Sequence, residues 1–404
     1  MNKEIAIYKL AAQHAKKIDK RIPFYIFDIE SFYEHVDLVR EKLGVNKLVF
    51  AIKANPFLTG ISEKHVDFFE VCSSGELEVC IAENVDLKKV VYTGLLKTYE
   101  DIEFALDSDV GYISVESAEH LHFIKQYCEK YCDTKPKKNI SVVLRCASDR
   151  FGMEESQIEE IISNRFLYEK LGIHFVSLQL FTGTQKKIEK TLEEYEWLEN
   201  FADKLLDNTG WKADFLEFGA GLKIPYFTNQ QDFEIYEELE QLSKLLEKSK
   251  YQVHVELGRY ITASCGYYFT TVLDKKTNEG VNYAILNGGI GHITYYQSNM
   301  GLRIPLIDHV VNESVIPDDN ESENKWTLCG PICTSMDTVA KNVPLKDLRN
   351  GDYLVFKLAG AYGMTWSSFL FLSRPLPEIC FYKGNSLKVV RESVKSSEIN
   401  TARL

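Results

Sequence analysis

A lysine at the end of an apolar run is the residue in this chain that most directly suggests chemistry. Residues 48–52 (LVFAI) are apolar, Lys53 follows them, and Asn55-Pro56 then breaks the chain. An apolar run that ends at a proline signal predicts a buried strand with the lysine at its carboxyl end. Most such lysines leave the strand for solvent, because lysine is rarely buried unless it is paired. The alternative is an amine in a partly dry pocket, able to form a Schiff base.

Three later segments carry residue types that could hold a planar, anionic cofactor. Glu256, Gly258 and Arg259 lie together. The carboxylate could face a ring nitrogen and the guanidinium an anion, or the two charges could form a structural ion pair. The Gly219-Ala220-Gly221 segment could cradle a phosphate with backbone N–H groups, or be an ordinary turn. Phe181 could offer a flat face to a ring, or be a core residue.

Two further motifs lie in the last quarter of the chain. Residues 329–337 (CGPICTSMD) contain a pair of cysteines with three residues between them, and residues 360–368 (GAYGMTWSS) place glycines around Tyr362. A zinc site needs more ligands than Cys329 and Cys333, and no histidine or second cysteine pair in the sequence completes the set. We therefore predict no metal site.

The elements that must position these residues alternate between strand and helix. Amphipathic stretches of helical length separate short β-rich runs at 47–52, 67–71, 89–93, 111–115, 141–146, 173–181, 214–218 and 251–256. Eight strands that alternate with helices fit a (β/α)8 TIM barrel, in which chemistry belongs at the carboxyl ends of the strands. A doubly wound sheet is the alternative α/β architecture, because periodicity does not distinguish the two.

The pattern changes after about residue 260, where strands separated by turns predict a β-rich barrel or sandwich. We predict a barrel domain over residues 23–260 and a C-terminal β domain over residues 261–390. Residues 1–22 are expected to pack on the β domain, and residues 391–404 form a polar tail. The acidic, polar stretch 312–325 predicts a surface loop.

Composition limits the partners and the location. The 404 residues are 45% hydrophobic and 26% charged, which is ordinary for a soluble globular protein. The net charge of −12 argues against nucleic acid or an anionic membrane as the main partner. No apolar run has the length that crosses a bilayer, and residues 1–22 do not resemble a signal peptide. We therefore interpret the nine cysteines as thiols of a cytoplasmic protein.

In their order along the chain, the motifs resemble those of the fold-type III (alanine-racemase-like) pyridoxal-phosphate decarboxylases. The most similar group is that of diaminopimelate and ornithine decarboxylases, and the resemblance extends over residues 22–383. The matching segments are 50–55 (FAIKAN), 69–77 (FEVCSSGEL), 150–153 (RFGM), 219–221 (GAG), 256–260 (ELGRY), 330–333 (GPIC) and 360–362 (GAY). The resemblance implies a (β/α)8 barrel plus a β domain, in a homodimer with shared active sites.

The resemblance also implies a role for each matching residue. Lys53 would hold pyridoxal 5'-phosphate as a Schiff base, and Glu256 would keep the pyridine nitrogen protonated. Cys333 would reach across the dimer interface and protonate the carbanion that loss of CO2 leaves, for which a thiol is acidic enough. The other implied contacts surround cofactor and substrate: Phe181 stacked on the ring, Gly219, Gly221, Gly258 and Tyr362 at the phosphate, and Arg259 and Tyr362 at the phosphate or substrate carboxylate.

Departures from the family pattern bear on the substrate. The family has an acidic residue after the catalytic cysteine, where it binds a distal amine, and here that residue is Thr334. Arg303 matches an arginine that grips a distal carboxylate, and Phe181 replaces a stacking histidine. Residues 181–185 (FTGTQ) and 330–334 (GPICT) are similar to segments of an antibiotic and siderophore subgroup, which includes a decarboxylase of a carrier-linked glutamyl group. We therefore predict removal of the α-carboxylate from an L-amino acid that is acylated, extended or carrier-bound.

Three alternatives remain. The first is decarboxylation of diaminopimelate, ornithine or lysine themselves. The second is a racemase, which would use a tyrosine as its second base and would lack the Gly-Pro-x-Cys segment that is present here. The third is a non-catalytic relative, in which the cysteine or the cofactor contacts are typically lost, whereas Lys53, Glu256 and Cys333 are all retained.

Overall fold

The computed structural model describes residues 3–131, 138–230, 232–295, 301–313 and 323–402. The chain divides into two units. The barrel unit comprises His35–Ile224 and Glu234–Tyr260, and the sheet unit comprises Met1–Glu34, Pro225–Phe233 and Ile261–Leu404. Within the described ranges, no helix combines the length and the apolar composition that crossing a bilayer requires.

A closed parallel barrel follows the first three elements of the chain, which are α1 (Lys3–Ala15), β1 (Phe24–Asp28) and α2 (Ile29–Leu43). The barrel strands are β2 (Lys47–Ala51), β3 (Phe68–Val71), β4 (Val90–Tyr92), β5 (Tyr112–Val115), β6 (Ile140–Arg145), β7 (Ile173–Phe181), β8 (Phe215–Gly219) and β9 (Gln252–Leu257). Parallel pairing of β9 with β2 closes the ring. The predicted (β/α)8 barrel is therefore confirmed, and the doubly wound alternative is wrong.

The strands read as apolar runs because parallel strands in such a fold are covered on both faces. The helices between them are α3 (Thr59–Ser62), α4 (Ser74–Ala82), α5 (Tyr99–Asp107), α6 (Ala118–Tyr131), α7 (Glu155–Ser163), α8 (Phe166–Glu169), α9 (Ile188–Thr209) and α10 (Ile235–Leu246). Local signals set their ends. Thr98 and Asp101 form a capping box at the start of α5, and Gly210, with φ of 68°, ends α9.

A nine-stranded mixed sheet forms the second unit, as the predicted β-rich domain requires. It contains β1 together with β10 (Gly266–Asn278), β11 (Val281–Leu286), β12 (Ile307–Val310), β13 (Glu323–Cys329), β14 (Thr338–Lys346), β15 (Tyr353–Phe356), β16 (Glu378–Lys383) and β17 (Ser386–Arg391). The remaining α-helices of the described residues are two short ones, α11 (Arg259–Thr262) and α12 (Ser396–Asn400). Ile7 and Ala11 of α1 join the core of this sheet with Phe24 of β1.

The first strand of the chain belongs to this sheet. β1 pairs antiparallel with β10 and parallel with β16. The division into units therefore groups residues 23–34 with the sheet, whereas the predicted bounds group them with the barrel. The bounds 23–260, 261–390 and 391–404 stay predictions. Of the predicted surface loop 312–325, residues 314–322 lie outside the described residues.

Candidate active site

Lys53 lies at the carboxyl end of β2, in a single 3-10 turn that spans Ile52–Ala54. The next turn starts at Pro56, and the side-chain oxygen of Asn55 accepts a hydrogen bond from the backbone N–H of Phe57 at 3.2 Å. The apolar run therefore ends where the Asn-Pro signal predicts, and a capped turn fixes the backbone just after the lysine.

Two buried carboxylates and a thiol surround the Lys53 amine. Its Nζ donates to Glu70 Oε2 at 2.7 Å, and it lies 3.4 Å from Glu256 Oε1 and 3.5 Å from Cys72 Sγ. The lysine side chain keeps 30% of its exposure, whereas both glutamates are almost fully buried. Lys53 is therefore a paired amine in a partly dry pocket, and not a lysine that leaves the strand for solvent.

The two glutamates differ in protonation because their surroundings differ. Burial pushes the pKa of Glu70 upward, but the Lys53 charge and hydrogen bonds with Glu256, Lys53 and Thr93 outweigh burial and lower that pKa to about 2. Burial, followed by the negative charge of Glu70, raises the pKa of Glu256 to about 7. Near neutral pH, Glu70 is therefore ionised, whereas Glu256 is present in both its protonated and its ionised form. A cation placed beside Glu256 would favour its ionised form.

A second layer of polar residues lies inside the barrel. Ser114 Oγ donates to Gln179 Oε1, and Gln179 Nε2 donates to Glu217 Oε1, both at 2.6 Å. Burial and the charges of Glu256 and Glu70 raise the pKa of Glu217 well above its ordinary value. Glu217 Oε2 is buried without a hydrogen-bond partner among the described residues. The layer therefore supplies a neutral carboxyl group that is electrostatically coupled to the pair beside Lys53.

The glycine segment and Phe181 lie at the ends of two adjacent strands, β7 and β8. A Cβ atom on Gly219 would clash with the Phe181 side chain, so the aromatic ring lies over this glycine. Gly221 has φ of 62°, and a Cβ there would clash with the carbonyl oxygen of Gly183. The Lys53 Nζ lies 5.7 Å from the Phe181 ring centroid. A flat ring, a glycine cradle and an amine suit a planar aldehyde that carries a phosphate.

The Gly258 and Arg259 segment packs directly behind the lysine turn. A Cβ on Gly258 would lie 2.9 Å from Ala54 Cβ and 3.0 Å from the carbonyl oxygen of Ala51, so only glycine allows this approach. Arg259 is buried at the start of α11. The barrel unit thus contains seven of the predicted site residues: Lys53, Phe181, Gly219, Gly221, Glu256, Gly258 and Arg259.

The other predicted residues belong to the sheet unit. Cys333 is exposed, and Thr334 follows it, in the loop between β13 and β14. Tyr362 has φ of 59° and its ring meets Trp366 edge to face, with centroids 5.9 Å apart. The Arg303 guanidinium is exposed, 5.5 Å from the ring centroid of Phe227. The catalytic and binding roles assigned to these residues stay predictions.

Four residues of the network around Lys53 are absent from the predicted site: Glu70, Cys72, Thr93 and Glu217. Glu70 lies in a recognised segment but was given no role, and Thr93, whose hydroxyl donates to Glu70 Oε1 at 2.7 Å, was not singled out. Glu217 was also absent. The available signal was the same for Glu70 and Glu217, namely a single charged residue inside an otherwise apolar run, as in residues 68–71 (FFEV) and 215–218 (FLEF). A buried charge is costly, so such a residue points to a site.

The comparisons with known proteins agree with one another. The family model described as "Pyridoxal-dependent decarboxylase, C-terminal sheet domain" matches residues 24–360. A decarboxylase of an L-glutamyl group on an acyl-carrier protein, from Niallia circulans, is 24% identical over 95% of this chain and 94% of its own length. A decarboxylase from Staphylococcus aureus is 27% identical over 88% of this chain and 93% of its own length. Its name describes an L-alanin-3-yl carbamoyl group joined through a methylene to 2-hydroxybutanedioate.

Solved structures share the fold. Diaminopimelate decarboxylase from Helicobacter pylori, complexed with L-lysine, gives a TM-score of 0.79 at 20% identity and covers 96% of this chain and 98% of that chain. Lysine/ornithine decarboxylase from Vibrio vulnificus, complexed with cadaverine, gives a TM-score of 0.77 at 20% identity and covers 95% and 99%.

The raised pKa of Glu256 predicts how the stability of the protein changes with pH. The pKa of Glu256 is raised from 4.5 to about 7, so this group favours the folded state below 4.5 and loses that contribution as the pH rises toward about 7. We therefore expect Glu256→Gln to raise the melting temperature of the cofactor-free protein, and to raise it more at about pH 8 than at about pH 5. Thermal unfolding at the two pH values measures the difference.

Glu70→Gln is the matched control. The pKa of Glu70 is lowered to about 2, so its carboxylate contributes stability above 4.5 that is lost only as the pH falls toward about 2. This variant should melt below the wild type at both pH values, because Lys53 loses the carboxylate to which it donates at 2.7 Å. A Glu256→Gln variant that melts below the wild type at about pH 8 would contradict the prediction.

Proposed function

The chain belongs to the family of pyridoxal-dependent decarboxylases, and on that premise we propose that it removes the α-carboxylate of an amino acid bound to pyridoxal 5'-phosphate, with Lys53 as the lysine that carries the cofactor. The observation that carries the proposal is the Lys53 amine at the end of a barrel strand, between the buried carboxylates of Glu70 and Glu256. Active sites of such barrels lie at this end of the strands.

Each residue of the barrel unit has a definite task in this proposal. When bound, the cofactor supplies a protonated ring that delocalises the electron pair left by departing CO2. Glu256 would pair with the ring nitrogen and hold its proton. Glu70 pairs with the Lys53 amine and holds it in position. Phe181 supplies an aromatic face, and the Gly219–Gly221 segment presents backbone N–H groups to the phosphate.

The proton that replaces CO2 is assigned to Cys333. A thiol can deliver a proton near neutral pH, and this cysteine is exposed in a loop of the sheet unit. Two large apolar side chains of the same unit are exposed as well, Met336 at 74% and Trp366 at 70%. Phe369, Leu370, Phe371 and Leu372, which follow Trp366 closely in the chain, are exposed too, and a run of exposed apolar side chains is typical of an interface. It supports a homodimer in which Cys333 of one subunit serves the Lys53 site of the other.

We propose as substrate an L-amino acid whose side chain is acylated, extended or linked to a carrier protein. Thr334 provides a hydroxyl, whose oxygen accepts the Met336 N–H at 3.2 Å, and no charge that could bind a free distal ammonium. The two relatives described above act, by their names, on an amino-acid group joined to a larger moiety. Arg303 is the exposed cation that would meet a distal carboxylate.

The cofactor assignment is tested by absorption. Purified protein should show the visible band of a lysine–pyridoxal Schiff base, and Lys53→Ala should abolish both the band and CO2 release. Lys47→Ala is the matched control, because Lys47 lies at the opposite end of the same strand and should leave both unchanged. A colourless wild-type protein that does not respond to added cofactor would refute the assignment.

The substrate assignment is tested by CO2 release from a panel of free, acylated and carrier-linked amino acids. We expect the highest kcat/KM with acylated or carrier-linked members. Thr334→Asp should raise kcat/KM for free diamino acids by about tenfold or more, because a carboxylate then pairs with the distal ammonium. A wild-type enzyme that prefers free diaminopimelate or ornithine would overturn this substrate class and leave the reaction class intact.

Shared active sites are tested by mixing inactive subunits. Lys53→Ala and Cys333→Ala should each be inactive alone. If each site takes Lys53 from one subunit and Cys333 from the other, random exchange of equal amounts restores about a quarter of wild-type activity, since half of the dimers carry one intact site. A mixture that stays inactive although subunits exchange would show that both residues serve the same subunit's site.

A further inference from the structure

Asp337 joins two separate backbone segments of the sheet unit through one carboxylate. Its Oδ1 accepts the N–H of Ile290, and its Oδ2 accepts the N–H of Ile332, both at 2.8 Å. The backbone adds two hydrogen bonds, from Gly330 N–H to the Asp337 carbonyl oxygen at 3.0 Å and from Asp337 N–H to the Thr334 carbonyl oxygen at 3.1 Å. The carboxylate therefore fastens the loop 330–337 to the glycine-rich segment 287–291.

Two glycines leave room for this carboxylate. A Cβ on Gly289 would clash with Asp337 Oδ1, and a Cβ on Gly330 would clash with both of its carboxylate oxygens. Asp337 is only 2% exposed, so a carboxylate at this position is unfavourable unless its oxygens are bonded. Charge-assisted bonds from backbone N–H groups are strong ones. Gly289 and Gly330, which are far apart in the sequence, therefore both pack against the buried Asp337 carboxylate.

The same contact controls the loop that carries Cys333. Ile332 before the cysteine and Asp337 after it are buried, whereas Cys333, Ser335 and Met336 are exposed. The exposed part of the loop is therefore held at two buried points. At the first point, the backbone N–H of Ile332 donates to the Asp337 carboxylate. At the second point, the Asp337 side chain is itself buried in the sheet unit.

Ile290 extends the connection to the Tyr362 turn. Its N–H is bonded to Asp337, and its carbonyl oxygen accepts the N–H of Ser368 at 3.1 Å. Within that turn, the N–H of Trp366 donates to the carbonyl oxygen of Tyr362 at 3.0 Å. The loop 330–337, the segment 287–291 and the turn 360–368 are therefore linked through Ile290. The loop 330–337 carries Cys333 and Thr334 of the predicted site, and the turn 360–368 carries Tyr362.

We propose that Asp337 is a positioning residue, whose carboxylate holds the 330–337 loop so that the Cys333 thiol occupies one fixed place for proton transfer. The inference rests on the proposed function, in which Cys333 supplies the proton. Asp337 itself contacts no reacting atom. Its effect is on where the thiol lies, so its loss should reduce turnover without weakening the hold of Lys53 on the cofactor.

The test is Asp337→Asn in the full-length, cofactor-loaded enzyme. The amide keeps the size of the side chain but turns an NH2 group toward one of the two backbone N–H groups, so one of the two hydrogen bonds is lost. We expect kcat to fall by about ten- to a hundredfold, with KM and the visible cofactor band close to wild type. Alkylation of Cys333 by a maleimide, followed by peptide mass spectrometry, should become several-fold faster because the loop is released.

Asp352→Asn is the matched control. Asp352 is a fully buried carboxylate of the same unit that accepts backbone N–H groups from Asn312 at 2.9 Å and Arg349 at 2.8 Å. It should lower the melting temperature as much as Asp337→Asn does, but leave kcat and Cys333 alkylation unchanged. Gly289→Ala is the second variant, because its methyl group would clash with Asp337 Oδ1 and with the Cα atom of Gly330 at the start of the cysteine loop. It should reproduce both effects of Asp337→Asn.

The outcomes separate this inference from the proposed function. Wild-type kcat and alkylation rate in Asp337→Asn, in an assay where Cys333→Ala is impaired, overturn the positioning role. Failure of both Asp337→Asn and Gly289→Ala to fold also overturns it, because Asp337 is then required by the sheet unit as a whole. An unimpaired Cys333→Ala enzyme instead refutes the proton-donor role, and the positioning of the loop is then decided by the alkylation rate alone.

Discussion

The ion-paired Lys53 amine depends on the closure of the barrel. Taking an ammonium out of water costs several kcal/mol unless nearby carboxylates compensate. Glu70 and Glu256 belong to β3 and β9, which are the two strands that pair with β2 on either side. One carboxylate therefore reaches the lysine from each neighbour. Because β9 is the last strand of the ring, the second carboxylate arrives only when the first and last strands meet.

The alternation of strands and helices could be predicted because each barrel strand is buried along its whole length. Such strands appear in the sequence as unbroken apolar runs, and the helices between them carry the charges. The strand Phe24–Asp28 has the same appearance, with five buried residues, yet it belongs to the other sheet. Burial of a strand can be read from composition, but its partners cannot, because β10 and β16 lie far along the chain.

The site could be predicted in part, for a related reason. Motifs in the sequence single out Lys53, Glu256 and the Gly219–Gly221 segment. Lys53 lies just before Asn55-Pro56 and Glu256 just before Gly258, so each reactive side chain stands beside residues that mark a turn. Gln179 and Glu217 have no motif, and they meet only because β7 and β8 pair in a register that places them side by side. A register is a property of the assembled sheet. The pairing of Gln179 with Glu217 is therefore inaccessible to sequence reasoning, although the lone charge of Glu217 in an apolar run marks the position of that residue.

The proposed roles divide between residues that the fold fixes and residues that loops carry. Glu256 is a strand residue, and Gly258, directly after that strand, packs against the lysine turn, so a change at either disturbs the barrel itself. Thr334 and Arg303 lie in loops, where substitutions cost the fold little. On the proposed function, packing thus fixes the residues that hold the cofactor. The residues proposed to select the substrate lie in loops, beside a cysteine whose own loop is held by the buried Asp337 carboxylate. Departures that alter the substrate should accordingly fall on exposed loop residues, and a departure inside the barrel, such as Phe181, should keep the property the site uses, here a flat ring.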